Sequence, residues 1–141
     1  MVMNYDEIKE SIRKHEGYRL EPYKCTEGLL TGGIGHKINE GEEIPTTEEG
    51  WLELFDKDFE IALNGARRLL NEEETHPEAF GIVIEMCFQL GEFGVSKFKK
   101  MLAAIEAKDY FDAGWEMKDS KWNQQTPHRC EALSLRMRNI S

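Results

Sequence analysis

Apolar residues recur at helical spacing along most of this chain and lose that spacing in one early segment. Over residues 4–15, Ile8 and Ile12 share a face, and Asn4 stands three residues before Glu7 in a capping-box-like start, which predicts a helix. Between 18 and 41 the period is gone. Gly28, Gly32, Gly33, Gly35 and Gly41 fall there, with short apolar runs (Leu29-Leu30-Thr31 and Ile34) between turn residues, the signature of a small antiparallel sheet of hairpins. From Thr46 the helical step returns. Thr46 and Glu49 fit a second capping box, and Trp51, Leu52, Phe55, Phe59, Ala62, Ala66, Leu69 and Leu70 recur at three- and four-residue intervals. That predicts one helix of about 23 residues, roughly 35 Å long, joining the sheet-bearing part to the C-terminal half of the chain.

Beyond it, Pro77 suits a first helical turn, and Ala79 to Leu90 is apolar almost all round, interrupted by Glu85 and Gln89. A helix without a polar face is a buried one. Gly91 is expected to close it. Three short helices should come next: one capped by Ser96 that uses Phe98, Met101, Leu102 and Ile105, one capped by Asp109, and a last one started by Thr126-Pro127. The pattern gives an α+β fold, mainly helical, with its sheet confined to the early hairpins. A chain of 141 residues suits one domain. Its expected parts are an N-terminal lobe at about 16–55, a linking helix at about 47–70, and a helical lobe at about 71–141 that also takes in the helix at 4–15.

Charge narrows the function classes. Lys and Arg total 18 against 27 Asp and Glu, a formal net charge of −9, which argues against non-specific binding to nucleic acid or an anionic membrane. Three cysteines, at 25, 87 and 130, have no CxxC spacing, so neither a disulfide framework nor a zinc site is expected. His15, His36, His76 and His128 form no helical i,i+4 pair with carboxylates, and Gly32-Gly33-Ile34-Gly35 lacks the Lys-Ser/Thr of a phosphate loop. No metal and no cofactor are implied. Met1 to Glu10 lacks a basic start followed by an apolar core, and the longest purely apolar runs, such as Ile82-Val83-Ile84, are far short of a membrane span. The expectation is a soluble chain made in a reducing cytosol, without membrane insertion.

Glu16 carries the most chemical interest. It falls where the first helix gives way to the glycine-rich hairpins, a seam in which a carboxyl group can be desolvated from both sides and so serve as an acid. On its own such a glutamate is usually a solvated helix end. Its surroundings change that. Residues 15–36, HEGYRLEPYKCTEGLLTGGIGH, closely resemble the active-site segment of the phage T4-type lysozymes, endolysins that cleave peptidoglycan. The family pattern is a glutamate followed by glycine, an aspartate nine residues on, a threonine six further, and a closing G-x-G-H. Glu16, Cys25 and Thr31 stand at those positions, followed by Gly33-Ile34-Gly35-His36. Residues 86–95, MCFQLGEFGV, are similar to the family's central helix, and 120–129, SKWNQQTPHR, to its C-terminal segment. The chain between His36 and Phe55 is shorter than in the best-known member.

The resemblance implies a lysozyme-like fold and a role for each matching residue. Glu16 would be the general acid on the glycosidic oxygen, and Thr31 would help place water. Arg129 would sit beside Glu16 and orient it, Phe88 and Gln89 would line the cleft between lobes, and Asp58 would be structural beside His36. The plainer readings are Phe88 as core, Arg129 as a surface charge and His36 as a hairpin histidine. Cys25 departs from the pattern, since the family places an aspartate there. A thiol with a reference pKa near ~8.5 is only a few per cent thiolate at pH 7. Three possibilities stand: Cys25 acts as base or nucleophile, Glu16 works nearly alone with water held by Thr31, or the chain only binds.

The implied activity is muramidase: hydrolysis between N-acetylmuramic acid and N-acetylglucosamine in bacterial peptidoglycan, for host lysis and phage release. Such an enzyme would accumulate as a monomer in the host cytoplasm, with a holin opening its way to the wall. Two alternatives are a lytic transglycosylase using Glu16 alone, and a non-catalytic wall-binding or virion structural protein.

Overall fold

The computed structural model describes residues 4–24 and 30–141. Helix α1 (Tyr5–Glu16) starts at Asn4, whose side chain accepts from Glu7 N, and packs Ile8 and Ile12 inward. Strands β1 (Arg19–Lys24), β2 (Leu30–Gly33) and β3 (His36–Lys37) form an antiparallel sheet in the order β1-β2-β3, with Tyr23 opposite Thr31 and Gly32 opposite His36. Helix α2 (Glu48–Leu69) comes next. Its cap is Thr47, one residue beyond the expected Thr46, because the Thr47 hydroxyl accepts from Gly50 N at 3.1 Å.

Trp51 fastens α2 to the sheet. Its ring is 1% exposed, its Nε1 donates to Leu20 O at 3.0 Å, and a Cβ added at Gly33 would lie 2.4 Å from the ring. Gly33 also has φ +56°, so both close approach and backbone conformation call for glycine there. The rest of α2 lies along α3 (Pro77–Ser96), burying Phe55, Phe59, Ala62 and Ala66 beside the run Ala79–Cys87.

By length and composition α3 would suffice to cross a membrane, against the expectation from its uninterrupted apolar runs. More than half of that window is buried inside the fold, which is what the core helix of a globular domain requires. At Gly91 the backbone leaves helical geometry (φ 79°, ψ 158°), so the expected stop is a kink after which helical residues continue to Ser96. Ser96 does not cap the next helix. Its hydroxyl donates to Phe93 O at 2.5 Å, and α4 (Lys99–Glu106) starts at Phe98 with no side-chain cap. Helix α5 (Tyr110–Lys118) is capped by Asp109 as expected.

The short α6 (Lys121–Gln125), capped by Ser120, has no counterpart in the hydrophobic pattern, since five residues are too few to show a period. Helix α7 (Pro127–Arg138) has Pro127 in its first turn. The polar interruption at Glu85 is fully buried and accepts from Ser11 Oγ at 2.8 Å and Arg136 Nη1 at 2.7 Å. This joins α1, α3 and α7 through one carboxylate.

Candidate active site

Glu16 is the last residue of α1. Gly17 ends the helix with φ 70° while its N–H still reaches Arg13 O at 2.8 Å. The chain therefore turns sharply into β1 and leaves the Glu16 side chain between helix and sheet. One carboxylate oxygen, Oε2, accepts from Arg129 Nη1 at 2.6 Å, and the two side chains are 18% and 9% exposed respectively. The other oxygen faces the β2–β3 turn: a Cβ added at Gly35 would come within 2.6 Å of both Oε1 and the carboxyl carbon. With φ +65°, Gly35 is required there by conformation as well as by contact. Arg129 Nε and Nη2 are buried without a hydrogen-bond partner among the described residues.

Thr31 is 4% exposed, in the middle strand between Tyr23 and Lys37. Cys25 lies outside the described residues.

His36 and Asp58 are brought together, Nδ1 to Oδ2 at 2.6 Å, and Glu42 takes the other ring nitrogen at 2.8 Å. The hydrogen bond to Asp58 holds the imidazole above its ordinary pKa, against the downward pull of burial, and Glu42 adds to the rise. Glu42 is held below the usual carboxylate range, first by the N–H of Asn39 and then by His36. Glu42 carries no sequence signal of its own; only the fold of the loop after β3 delivers it.

Phe88 meets Phe55 edge-on at 5.5 Å and helps line a pocket of about 230 Å³ with Gly35, His36, Asp58 and Gly91. Lys37 Nζ donates to Gln89 O at 3.2 Å, linking the sheet to α3 beside that pocket. The Gln89 side chain points elsewhere: it bonds Trp122 and Thr126. Larger open grooves lie near the end of α2 (about 970 Å³) and between α4 and α6 (about 560 Å³), and neither is lined by Glu16 or Thr31. Volume alone therefore does not mark this site. The seam between Glu16, Arg129 and Gly35 does, because it combines a partly buried carboxyl group, an adjacent cation and a backbone without a side chain in the way. Among the described residues, no three or more His, Cys, Asp or Glu side chains are grouped to hold a metal ion.

Residues 13–139 match the phage lysozyme family. The chain is similar to a probable T4-type lysozyme 2 of Dictyostelium discoideum, 35% identical over 86% of this chain and 88% of that protein. It is also similar to the peptidoglycan hydrolase gp36 of Pseudomonas phage phiKMV, 33% identical over 92% of this chain but 15% of that much longer protein. A third relative is the pre-baseplate central spike protein Gp5 of Enterobacteria phage T4, 32% identical over 91% of this chain and 27% of the relative. A match over nearly the whole chain, together with a relative of comparable extent above thirty per cent identity, places the protein: it belongs to the phage lysozyme family and is a lysozyme-type glycoside hydrolase.

Proposed function

We propose that this enzyme hydrolyses the bond between N-acetylmuramic acid and N-acetylglucosamine in bacterial peptidoglycan, with Glu16 as the proton donor. The observation that carries the reading is the Glu16–Arg129 contact at the helix–sheet seam, with Gly35 against the opposite carboxyl oxygen. Because Arg129 donates to Oε2, the transferable proton belongs on Oε1, and the glycosidic oxygen approaches from that side. As the proton leaves, the carboxylate gains full negative charge beside a guanidinium already in place. That contact fixes the orientation of the carboxyl group at the seam through the transfer.

Thr31, on the middle strand, is assigned to holding the water that completes hydrolysis. Cys25 occupies the position of the family's aspartate and is assigned to the same water. This reading is tested by clearing of a bacterial wall suspension: Glu16→Gln keeps the fold and loses at least a thousandfold in rate, and a variant that still clears the wall overturns it.

One sequence feature favours a second reading. Position 25 holds a thiol instead of a carboxylate, and a lytic transglycosylase needs a single glutamate. Its product closes an internal anhydro ring and weighs one water less than the hydrolysis product. Mass spectrometry of digested wall separates the two, and the hydrated product is expected.

A further inference from the structure

Gln89 stands at a joint of the fold. Its carbonyl accepts from Lys37 Nζ of β3, while its side chain turns to α6 and the start of α7. Oε1 accepts from Trp122 Nε1 at 2.9 Å, Nε2 donates to Thr126 Oγ1 at 3.3 Å, and that hydroxyl donates to Trp122 O at 3.2 Å. The three residues form a closed polar ring. Trp122 is a firm base for it, 3% exposed and edge-on to Phe98 at 6.1 Å. Thr126 is the N-cap of α7 but makes no side-chain bond to the helix's own N–H groups, so Gln89 and the Trp122 carbonyl are what hold its hydroxyl.

Arg129 lies three residues further along. Its guanidinium donates to Glu16, and among the described residues its Nε and Nη2 are buried without hydrogen-bond partners. No other side chain among the described residues hydrogen-bonds that guanidinium, so its aim depends on the backbone of the first turn of α7. A displacement of that turn would shift the guanidinium relative to Glu16.

We propose that Gln89 is a positioning residue: by clamping Thr126 and Trp122 it sets the start of α7 and so aims Arg129 at Glu16. This departs from its expected place as a substrate contact, and it rests on Glu16 as the proton donor. One amide hydrogen of Gln89 is left over by the ring, but a substrate-contact role and a positioning role separate in kinetics. Loss of a substrate contact raises KM. Loss of aim lowers kcat at nearly constant KM, and does so only while Arg129 is present.

The experiment measures kcat and KM on soluble peptidoglycan fragments for Gln89→Ala, Gln89→Leu, Thr126→Val and Thr126→Ser. Each is also made with Arg129→Lys, and thermal unfolding is recorded for every variant. Gln89→Leu fills the volume that Ala leaves, so a folded variant without the amide is available even if Ala destabilises the chain. The expected result is a kcat about tenfold lower for Gln89→Ala, Gln89→Leu and Thr126→Val, with KM within twofold. Thr126→Ser keeps the hydroxyl and loses less than twofold. In the Arg129→Lys background, removing Gln89 costs less than a further twofold. A raised KM at unchanged kcat, or a full tenfold loss on top of Arg129→Lys, overturns the positioning role. A Glu16→Gln variant that still turns over overturns the proton-donor reading itself, whatever Gln89 does, so the two failures are distinguishable.

Discussion

The His36 cluster makes a pH-dependent contribution to stability whose sign is set by the geometry. The imidazole is 14% exposed and lies between Asp58 at 2.6 Å and Glu42 at 2.8 Å, whose carboxylates are 21% and 24% exposed. Charged hydrogen bonds are worth ~1.5–3 kcal/mol each when shielded. Partial exposure of both carboxylates reduces the pair to about 2–3 kcal/mol in total. An unfolding entropy of roughly 2.1 cal/mol/K per residue then converts this to about 7–10 °C in Tm for a chain of this size. The folded imidazole has its pKa raised above the unfolded value, chiefly by the Asp58 hydrogen bond. On the alkaline side its contribution is therefore whole below ~6.5, the unfolded pKa, and is lost as pH rises through the folded one.

Glu42 is held below its usual range, by Asn39 N–H first, so it keeps its charge into mildly acid solution. Circular dichroism melts of the parent and His36→Asn at pH 6 and pH 9 test this, with the difference between the two proteins cancelling other titrations. The gap should be about 7–10 °C at pH 6 and fall to half or less at pH 9. A gap that stays constant, or widens with pH, refutes the argument that a charged imidazole holds this cluster.

Two further contacts and the residue type at position 25 give three more expected outcomes. Gly35→Ala places a Cβ 2.6 Å from the Glu16 carboxyl group at a backbone φ of +65°. Its backbone strain is about 1–2 kcal/mol, and wall-clearing activity should fall at least a hundredfold while the helical spectrum persists; activity within threefold of the parent contradicts the crowding. Arg136→Ala strips the guanidinium from Glu85, which is wholly buried. It should cost ~3–4 kcal/mol in urea unfolding, whereas Glu85→Leu combined with Arg136→Met recovers most of that; equal losses in the single and double variants count against an uncompensated charge as the cause. At position 25, Ser and Ala should lose at least tenfold in rate and Asp should retain it, measured across pH. Equal rates in all three variants show that no ionisable group is needed there.

Legibility in the sequence extends as far as neighbouring residues determine the structure. Asn4 caps α1 and Asp109 caps α5 because an oxygen acceptor lies within three residues of an orphan N–H, and α2 has nearly the predicted length because its apolar stripe repeats without a break. The same local physics also explains the errors. Thr46 and Thr47 are chemically alike, so only the folded turn selects Thr47. Ser96 is still part of α3, and the N-cap position of α4 falls two residues later at Phe98, so Ser96 is out of place to cap it.

Contacts that close over long stretches of chain leave no such trace. Glu16 and Arg129 are 113 positions apart, and their pairing is implied by the family pattern and not by any spacing. Glu85 is visible as a polar break in an apolar helix, but its partner Arg136 is 51 residues away and reads locally as an ordinary surface charge. Gln89, the other polar break in the same helix, is the instructive case. Glu85 is fully buried and must find a hydrogen-bond partner; Gln89 is half-buried and is also paired, so both interruptions mark connections that the helix makes with the rest of the molecule. Glu85 ties α3 to α1 and to the far end of α7, and Gln89 ties it to the near end of α7. Between them they fix both ends of the helix that presents Arg129 to Glu16. The polar residues of the core helix are thus as much a part of the site's construction as the residues that touch the carboxyl group.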